Sequence, residues 1–467
     1  MKKGSRKTFN LVSLGCPKNT VDSERLMGAF ATAGWTYAET PGDAALCLVN
    51  TCGFLRSSCE EAAKTFASLR KASPGAKIVA LGCLAERVGG EPGLADYLAG
   101  ADASFGFADY AQLPELCGAL LEGAGKRAET VVEAPRRTGY RGAILPKSYM
   151  RWLSGPAWRY EGGTTAWLKL GEGCSNHCAY CAIPLIRGER VSRPLEEIVA
   201  NAQALLADGA RELNLVAQDT TAYGMDRDGR SHLAELLHAL LKLPDAFFLR
   251  VLYAHPRHLG RDVLELMASD PRICPYLDLP IQHSESRVLK VMRRGYDGRR
   301  VRELLDDIHE ILPGAALRTT LIVGHPGETE AEFERLLAFV KEGHFAHLGA
   351  FAWSPEPGTA ALRSRAPVAP PEEAQRRRKA VMAAQKKVSA AHWRTHRGEE
   401  TAIFPDTPRG DGTWSCHSLY QAPDGLDGTC VLEVPPELAY RFDSSSPVVA
   451  TITRTAAYSI RATLSPL

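Results

Sequence analysis

The sequence predicts an α/β protein in three parts: an N-terminal parallel βα unit, a central partial (β/α)6 barrel and a small C-terminal all-β barrel. Three observations carry that expectation. Up to about residue 125, short apolar runs at 11–14, 46–49 and 78–81 alternate with helix-like segments such as 57–71, the rhythm of successive βα units. Six further apolar runs follow at 165–171, 212–217, 247–253, 276–281, 317–323 and 348–353, separated by helical patterns. They predict a parallel sheet rolled into a barrel or partial barrel, with its chemistry at the carboxyl ends of the strands. Beyond about residue 395, turn clusters at Pro423-Asp424-Gly425 and Asp427-Gly428 punctuate alternating runs such as 448–453, the pattern of a small β module. The expected divisions are 1–135, 150–392 and 393–467, with an Arg-, Pro- and Gly-containing linker at 126–163.

Composition narrows the class. Of 467 residues, 45% are hydrophobic and 24% charged, which excludes a collagen-like, wholly disordered or polytopic membrane chain. Lysine and arginine number 56 against 54 acids, a net of +2, so the chain lacks the cationic bias of a dedicated nucleic-acid binder. The opening MKKGSRKTFNLVSLGC imitates a lipoprotein signal, but Asn10 interrupts its apolar stretch. No window approaches the ~18 uninterrupted apolar residues of a membrane span. The expected compartment is therefore the cytoplasm, with no membrane partner and with thiols kept reduced. The stretch 372–397, with Arg376, Arg377, Arg378, Lys379, Lys386 and Lys387, reads as a solvated basic helix face, whereas five arginines against nine acids from Arg397 onward give the tail a net of −4. An acidic tail should not grip phosphate strongly.

Twelve cysteines fall well short of the ~8–10% that marks a disulfide scaffold. Their grouping points instead to metal. Cys174, Cys178 and Cys181 lie in one tight loop, GCSNHCAYC, directly after the first strand of the central part. Three thiolates in a CxxxCxxC spacing can hold three irons of a cubane cluster and leave the fourth open, and an open coordination position marks a reactive site. The alternative is a zinc loop that borrows His177 as fourth ligand. A second set is dispersed: Cys16, Cys52 and Cys83 each terminate a predicted strand. Carboxyl ends of neighbouring parallel strands share one edge, so these three can converge on a second cluster. The alternative is three separately buried thiols. Gly15 and Gly82 favour convergence, because a bare backbone beside a ligating thiol can approach the metal closely. Cys47, Cys59, Cys117, Cys274, Cys416 and Cys430 match no motif and are assigned to packing or surface. Asn19 and Asp22 suit an N-cap and an acidic first turn after Cys16.

The central loop, with Tyr180 before its last cysteine, resembles the radical S-adenosylmethionine superfamily, whose scaffold is a six-strand partial barrel. GCPKNTVDSE at 15–24, NTCGF at 50–54 and LGCLAER at 81–87 resemble the amino-terminal part of its methylthiotransferases. The resemblance continues through IPLIRGERVSR at 183–193, AQDTTAYG at 217–224, YLDLPIQH at 276–283 and LIVGHPGETEAEF at 321–333. It weakens beyond residue 395, where QAPDGLDG at 421–428 and the closing strand are similar to a TRAM module. Thr20 and His255-Pro256-Arg257 depart from the family pattern.

What this resemblance implies is specific. Cys174, Cys178 and Cys181 would hold one 4Fe-4S cluster, whose open iron chelates S-adenosyl-L-methionine, and Cys16, Cys52 and Cys83 a second. Tyr180, Gln218, Asp219, Gln282, His283 and Gly324 are the expected cofactor-binding residues at the barrel mouth, which must supply polar groups and room. One S-adenosylmethionine methylates a sulfur carried on the second cluster, and another, cleaved reductively, supplies a radical. A methylthio group thereby replaces hydrogen on an unactivated carbon, chemistry that a cofactor-derived radical performs and polar catalysis does not. Proline-lysine after Cys16 points to the branch that modifies the β-carbon of an aspartate in small-subunit ribosomal protein twelve, free or on the ribosome. The implied partners are that protein and an electron donor such as flavodoxin or ferredoxin. The rival readings are methylthiolation of tRNA adenosine, supported by the basic stretch, and a non-catalytic iron-sulfur or zinc protein that binds the ribosome.

Overall fold

Six consecutive buried residues, Leu46–Thr51, form the centre of the first sheet, and only a strand covered on both faces buries such a run. The structure, a computed structural model, describes residues 7–123, 147–155, 157–159, 162–244 and 246–466. Strands β1 (Thr8–Ser13), β2 (Thr36–Tyr37), β3 (Leu46–Thr51), β4 (Lys77–Leu81) and β5 (Ala103–Ser104) pair in the order β2-β1-β3-β4-β5, all parallel. β1 begins ahead of the expected apolar run because Asn10 is a buried strand residue, its Nδ2 donating to the Ala38 carbonyl at 2.8 Å. Phe9, Leu11, Leu48 and Phe30 cover one face of the sheet, and Val49, Ile78 and Phe66 the other.

The first of these layers includes Tyr149 and Leu153, so the linker expectation fails at its end. A helix, Lys147–Trp152, stands there. Its Tyr149 and Trp152, three apart and hence on one face, pack on Phe107 and Tyr110 at ring distances of 5.0 and 4.9 Å. The rest of 126–163, apart from 153–155, 157–159 and 162–163, lies outside the described residues.

The central sheet opens with β6 (Thr165–Lys169), followed by an antiparallel pair, β7 (Gly171–Glu172) and β8 (Val191–Ser192). β9 (Glu212–Val216), β10 (Phe248–Val251), β11 (Ile273–Asp278), β12 (Ala316–Val323) and β13 (His347–Ala352) complete it in the order β13-β12-β11-β10-β9-β6, all parallel. Its edges β6 and β13 do not pair, so this is the expected six-strand partial barrel. The fourth strand is shifted from the expected 276–281, since Pro280 has no N–H to extend the ladder and only the bridge Gln282–Leu321 continues it. Helices bury the outer face, while Trp167, Val216, Leu252, Cys274 and Tyr276 line the inner one.

Two outside elements fill that inner face: Val21 of helix Pro17–Thr32, and Leu419, Tyr420 and Ala422 from the C-terminal barrel. The latter is closed, β14 (Glu400–Pro408), β15 (Thr413–Ser418), β16 (Thr429–Glu433), β18 (Ser459–Leu464) and β17 (Val448–Ala456) following one another around it. Its β15–β16 loop is the insert. Asp427 accepts from Tyr276 Oη at 2.7 Å, and Arg318 lies 3.3 Å from Asp424 and 3.6 Å from Asp427. The −4 of the tail is therefore not its surface charge, because Asp424 and Asp427 neutralise Arg318. The basic helix face is likewise partly internal. In helix Pro371–Thr395, Arg376 and Arg377 pair with Glu373 and Glu330, Arg377 also with Glu328, and Arg378 donates to the Ala350 carbonyl. Lys379, Lys386 and Lys387 remain exposed. All six cysteines without a motif are buried.

A buried ion cluster ties the tail barrel to the sheet. Glu212 accepts from Arg250 at 2.8 Å and meets His417 of β15 at 2.9 Å, while Arg250 also donates to the Ser418 and Leu419 carbonyls. Burial alone would lower the His417 pKa, but Glu212 and Asp406 outweigh it and hold the imidazole at about 9. A folded pKa above the ordinary 6.5 means that stability from this contact is complete below about pH 6.5 and is lost as pH rises to about 9. Thermal unfolding across that window should show wild type losing up to about 3 kcal/mol more than His417→Gln, the two curves converging near pH 9.

Candidate active site

Three turns at the carboxyl ends of β1, β3 and β4 carry Cys16, Cys52 and Cys83. Glycines let these turns stack. A Cβ on Gly15 would stand 2.8 Å from Cys52 Cβ, one on Gly53 2.7 Å from Leu84 Cα, and one on Gly82 2.3 Å from Asn50 Oδ1. Gly15 and Gly82 also adopt φ of +95° and +82°, which only glycine does freely. The stacking brings the three thiols within electrostatic reach of one another. Burial pushes the Cys83 thiol up to about 12 despite Arg187. Burial also raises Cys16, yet Lys18 and Arg187 more than offset it, so that thiol is lowered.

The expected N-cap does not form. Cys16 occupies that position with Pro17 next, and no side chain caps the helix. Asn19 is used elsewhere: its Nδ2 donates to the Leu14 and Thr51 carbonyls at 2.9 and 3.0 Å, clamping two of the turns, and its Oδ1 accepts from Arg187. Asp22 is entirely internal, accepting from Lys169 at 2.6 Å, Arg187 at 3.0 Å and Tyr149 at 3.0 Å.

The second set sits between β7 and the helix Ile183–Arg187. Gly173, at φ +73°, opens the loop where a Cβ would lie 2.1 Å from the Glu189 carbonyl oxygen. Cys174 N donates to Gly188 O, Ala179 N to Met292 O and Ile183 N to Cys181 Sγ. Arg294 donates to Cys178 Sγ at 3.1 Å and to Tyr180 Oη at 3.2 Å. His177 is exposed and pairs with Glu189 at 3.3 Å. Neither thiol set is drawn within the 4.8 Å that groups ligands around a single ion, whereas bonds of about 2.3 Å to one zinc would require closer sulfurs. Open all-sulfur triads, each with one buried and two half-buried cysteines, fit an iron-sulfur cluster.

Arg187, six residues after Cys181, reaches back to the first set. It donates to Cys83 Sγ at 3.3 Å, to Glu172 at 2.8 and 2.7 Å, and to Asn19 and Asp22. Lys169 pairs with Asp22 and Glu172, so two cations and two anions balance with side chains no more than 2% exposed.

The expected cofactor residues surround the mouth above Cys174–Cys181. Gln218 Nε2 lies 3.4 Å from Glu172 while its Oε1 has no partner among the described residues, as is true of Gln282 Oε1. Asp219 accepts from Asn176 at 2.7 Å, meets His258 at 2.9 Å and Arg190 at 3.4 Å. Burial opposes its ionisation, but these partners hold the carboxyl well below its usual range. His283 pairs with Glu328 at 3.1 Å, and Glu328 with Arg377, a chain running from the mouth to helix Pro371–Thr395. Gly324, at φ +73°, is bare because Ala374 fills the space where its Cβ would stand. His255 Nε2 and His325 Nε2 are further buried atoms without partners. Unpartnered polar atoms at four strand ends form a cradle suited to a polar ligand.

Sequence reasoning missed Lys18, Glu172, Arg187 and Arg294. Arg187 lay in a quoted motif without a role, and Arg294 in none. Replacing Arg187 by Ala strands a surplus negative charge beside Cys83, and unfolding of anaerobic protein should show a loss of about 3–5 kcal/mol. Lysine should restore only part of it, lacking the guanidinium fork.

Residues 168–340 match the family model described as the radical SAM superfamily, and residues 8–99 one described as uncharacterized protein family UPF0004. The ribosomal protein uS12 methylthiotransferase RimO of Anaeromyxobacter sp. (strain K) is 40% identical over 395 residues, covering 84% of this chain and 80% of that protein. Its counterpart in Myxococcus xanthus is 38% identical over 405 residues, covering 86% and 81%. Among solved structures, the radical S-adenosylmethionine methyltransferase TsrM from Kitasatospora setae is similar at a TM-score of 0.53 and 16% identity, over 75% of this chain and 76% of that one. That likeness concerns the fold. Identity of this extent over more than four fifths of the chain makes it a member of the ribosomal protein uS12 methylthiotransferase family.

Proposed function

We propose that this protein replaces a hydrogen on the β-carbon of an aspartate in ribosomal protein uS12 by a methylthio group. The observation that carries this reading is that Arg187, on the helix that follows the Cys174–Cys181 loop, reaches across to donate to Cys83 of the other thiol set. The radical SAM match implies an iron-sulfur cluster and S-adenosylmethionine. In our reading Cys174, Cys178 and Cys181 hold that cluster, and Cys16, Cys52 and Cys83 hold a second that carries the sulfur. The bound groups supply a carbon radical able to open an unactivated C–H bond, and an external donor supplies the electron.

The chain's own residues bind, orient and shield. Gln218, Gln282, His255 and His325 present unpartnered polar atoms to the cofactor. Tyr180 and Arg294 brace the central loop, and Arg294 sets a cationic hydrogen bond on Cys178. Asp219, fixed by Asn176 and His258, orders the loop end beside them. The elements filling the concave face keep water out, which a reactive intermediate requires. Residues 1–135 would provide the sulfur-carrying part, 150–392 the radical-generating core and 393–467 the module that meets the ribosomal protein. Of the basic residues that suggested tRNA, Lys379, Lys386 and Lys387 are the ones free of the ion pairs and carbonyl bonds described above, so that stretch of helix Pro371–Thr395 is not a continuous unpaired basic face.

Two measurements test the reading. Anaerobic iron quantitation should find about eight irons in wild type and about four after joint replacement of Cys174, Cys178 and Cys181 by Ala. Four falling to none would remove the second cluster. With uS12 as substrate, Cys16→Ala should still cleave S-adenosylmethionine to 5′-deoxyadenosine while methylthiolated product vanishes, and product formed by that variant would overturn the sulfur-carrier role.

A further inference from the structure

Lys18 is a buried cation that the mechanism above does not use. Only 8% of it is exposed, and its Nζ stands 3.2 Å from the centroid of the Tyr253 ring. Among the described residues no carboxylate lies within 4 Å of that ammonium. Lys169 and Arg187 pair with Asp22 and Glu172, Arg250 with Glu212 and the half-buried Arg318 with Asp424 and Asp427, while Arg294 spends its donors on Cys178, Tyr180 and the Pro280 carbonyl. Cys16 feels its charge first and Asp278 next, but Asp278 accepts from Tyr253 N at 3.2 Å and lies 3.8 Å from Arg318. Removing an ammonium from water with no carboxylate beside it is costly, and an aromatic face returns only part of that cost.

Its position is as specific as its lack of a partner. Lys18 follows Cys16 by two residues in the first turn of helix Pro17–Thr32. Tyr253 lies just beyond the carboxyl end of β10, at φ +58°. A tyrosine is held there only by its surroundings: its N donates to Asp278 and its carbonyl accepts from Thr220 N. The ammonium therefore projects where the first thiol set meets the barrel mouth. The β-carbon of an aspartate is bonded directly to its carboxylate, so a cation that pairs with the carboxylate fixes the carbon to be modified.

Resting on the substrate reading above, we propose that Lys18 determines specificity: its ammonium, seated on Tyr253, pairs with the carboxylate of the target aspartate and holds the β-carbon beside Cys16. An aspartate side chain brings the carboxylate that no described residue gives Lys18, which a neutral base or an amide does not.

The test uses anaerobic holoenzyme and two peptides of the uS12 target loop, with aspartate or asparagine at the modified position. Wild type should prefer aspartate by about 10- to 100-fold in kcat/KM, the worth of one charge-assisted contact. In Lys18→Met the preference should collapse to about twofold, the loss on aspartate entering as a raised KM, whereas Lys18→Arg should keep most of it. Iron content and circular dichroism establish that each variant is loaded and folded. A Lys18→Met enzyme with the wild-type preference, or a wild type without one, overturns the proposal alone. No product from wild type on either peptide would instead defeat the uS12 reading, and this inference with it.

Discussion

Everything at the centre of this molecule depends on where the Arg187 guanidinium sits. It is fixed by the helix that follows the CxxxCxxC loop, yet it also donates to Asn19, Asp22 and Cys83 on helices of the N-terminal part. The planar fork meets Glu172 and Asp22 while also reaching Asn19 and Cys83, a fixed set of acceptors that the point charge of a lysine does not orient. Glu172 of β7 and Asp22 of helix Pro17–Thr32 are thereby held against one charge, with Lys169 completing the balance. A fully paired cluster of this kind adds little net stability over an apolar one but is severe toward misalignment, because any slip leaves a buried charge alone. The two thiol sets consequently keep a fixed relation before any metal arrives.

The same logic recurs at the edges of the site. Each thiol set receives one buried guanidinium, Arg187 on Cys83 and Arg294 on Cys178. Cationic hydrogen bonds to sulfur favour the thiolate over the thiol, and ligation of iron requires thiolates. Burial works in the opposite direction, holding Cys83 and Cys174 at about 12. Depth protects the site from water, and the arginines soften what depth imposes.

Much of this was legible in the sequence, and the exceptions have physical causes. The six strands of the central sheet declared themselves because a parallel strand covered on both faces is an uninterrupted apolar run. Cys16, Cys52 and Cys83 were visible because each ends such a run, and Cys174, Cys178 and Cys181 because their spacing is so tight. Asn10, Asn19 and Asp22 were misread for the converse reason: local rules assign a polar residue to a break or a cap, while here a distant partner satisfies it inside the core. The helix at Tyr149 was hidden by its Arg- and Pro-rich surroundings. The tail's charge count was accurate as arithmetic yet misleading as a surface property, since Asp424 and Asp427 turn inward to Arg318. Lys18 stood in the motif after Cys16 without a role, and Arg294 in no motif, because both act on partners far away in sequence.

The loop between β15 and β16 has a bearing on how the chain assembles. A polypeptide is made from its amino end, and domains generally fold as they emerge. When the sixth strand of the central sheet appears, Arg250, Arg318 and Tyr276 are already in place, but Ser418, Leu419, Asp424 and Asp427 do not yet exist. The concave face must wait, wet and with Arg250 and Arg318 held by Glu212 and Asp278 alone, until the tail barrel arrives. Completion of this scaffold is in this sense postponed to the end of synthesis, and a nascent chain released early would carry both cysteine sets beside a central sheet whose concave face is still open.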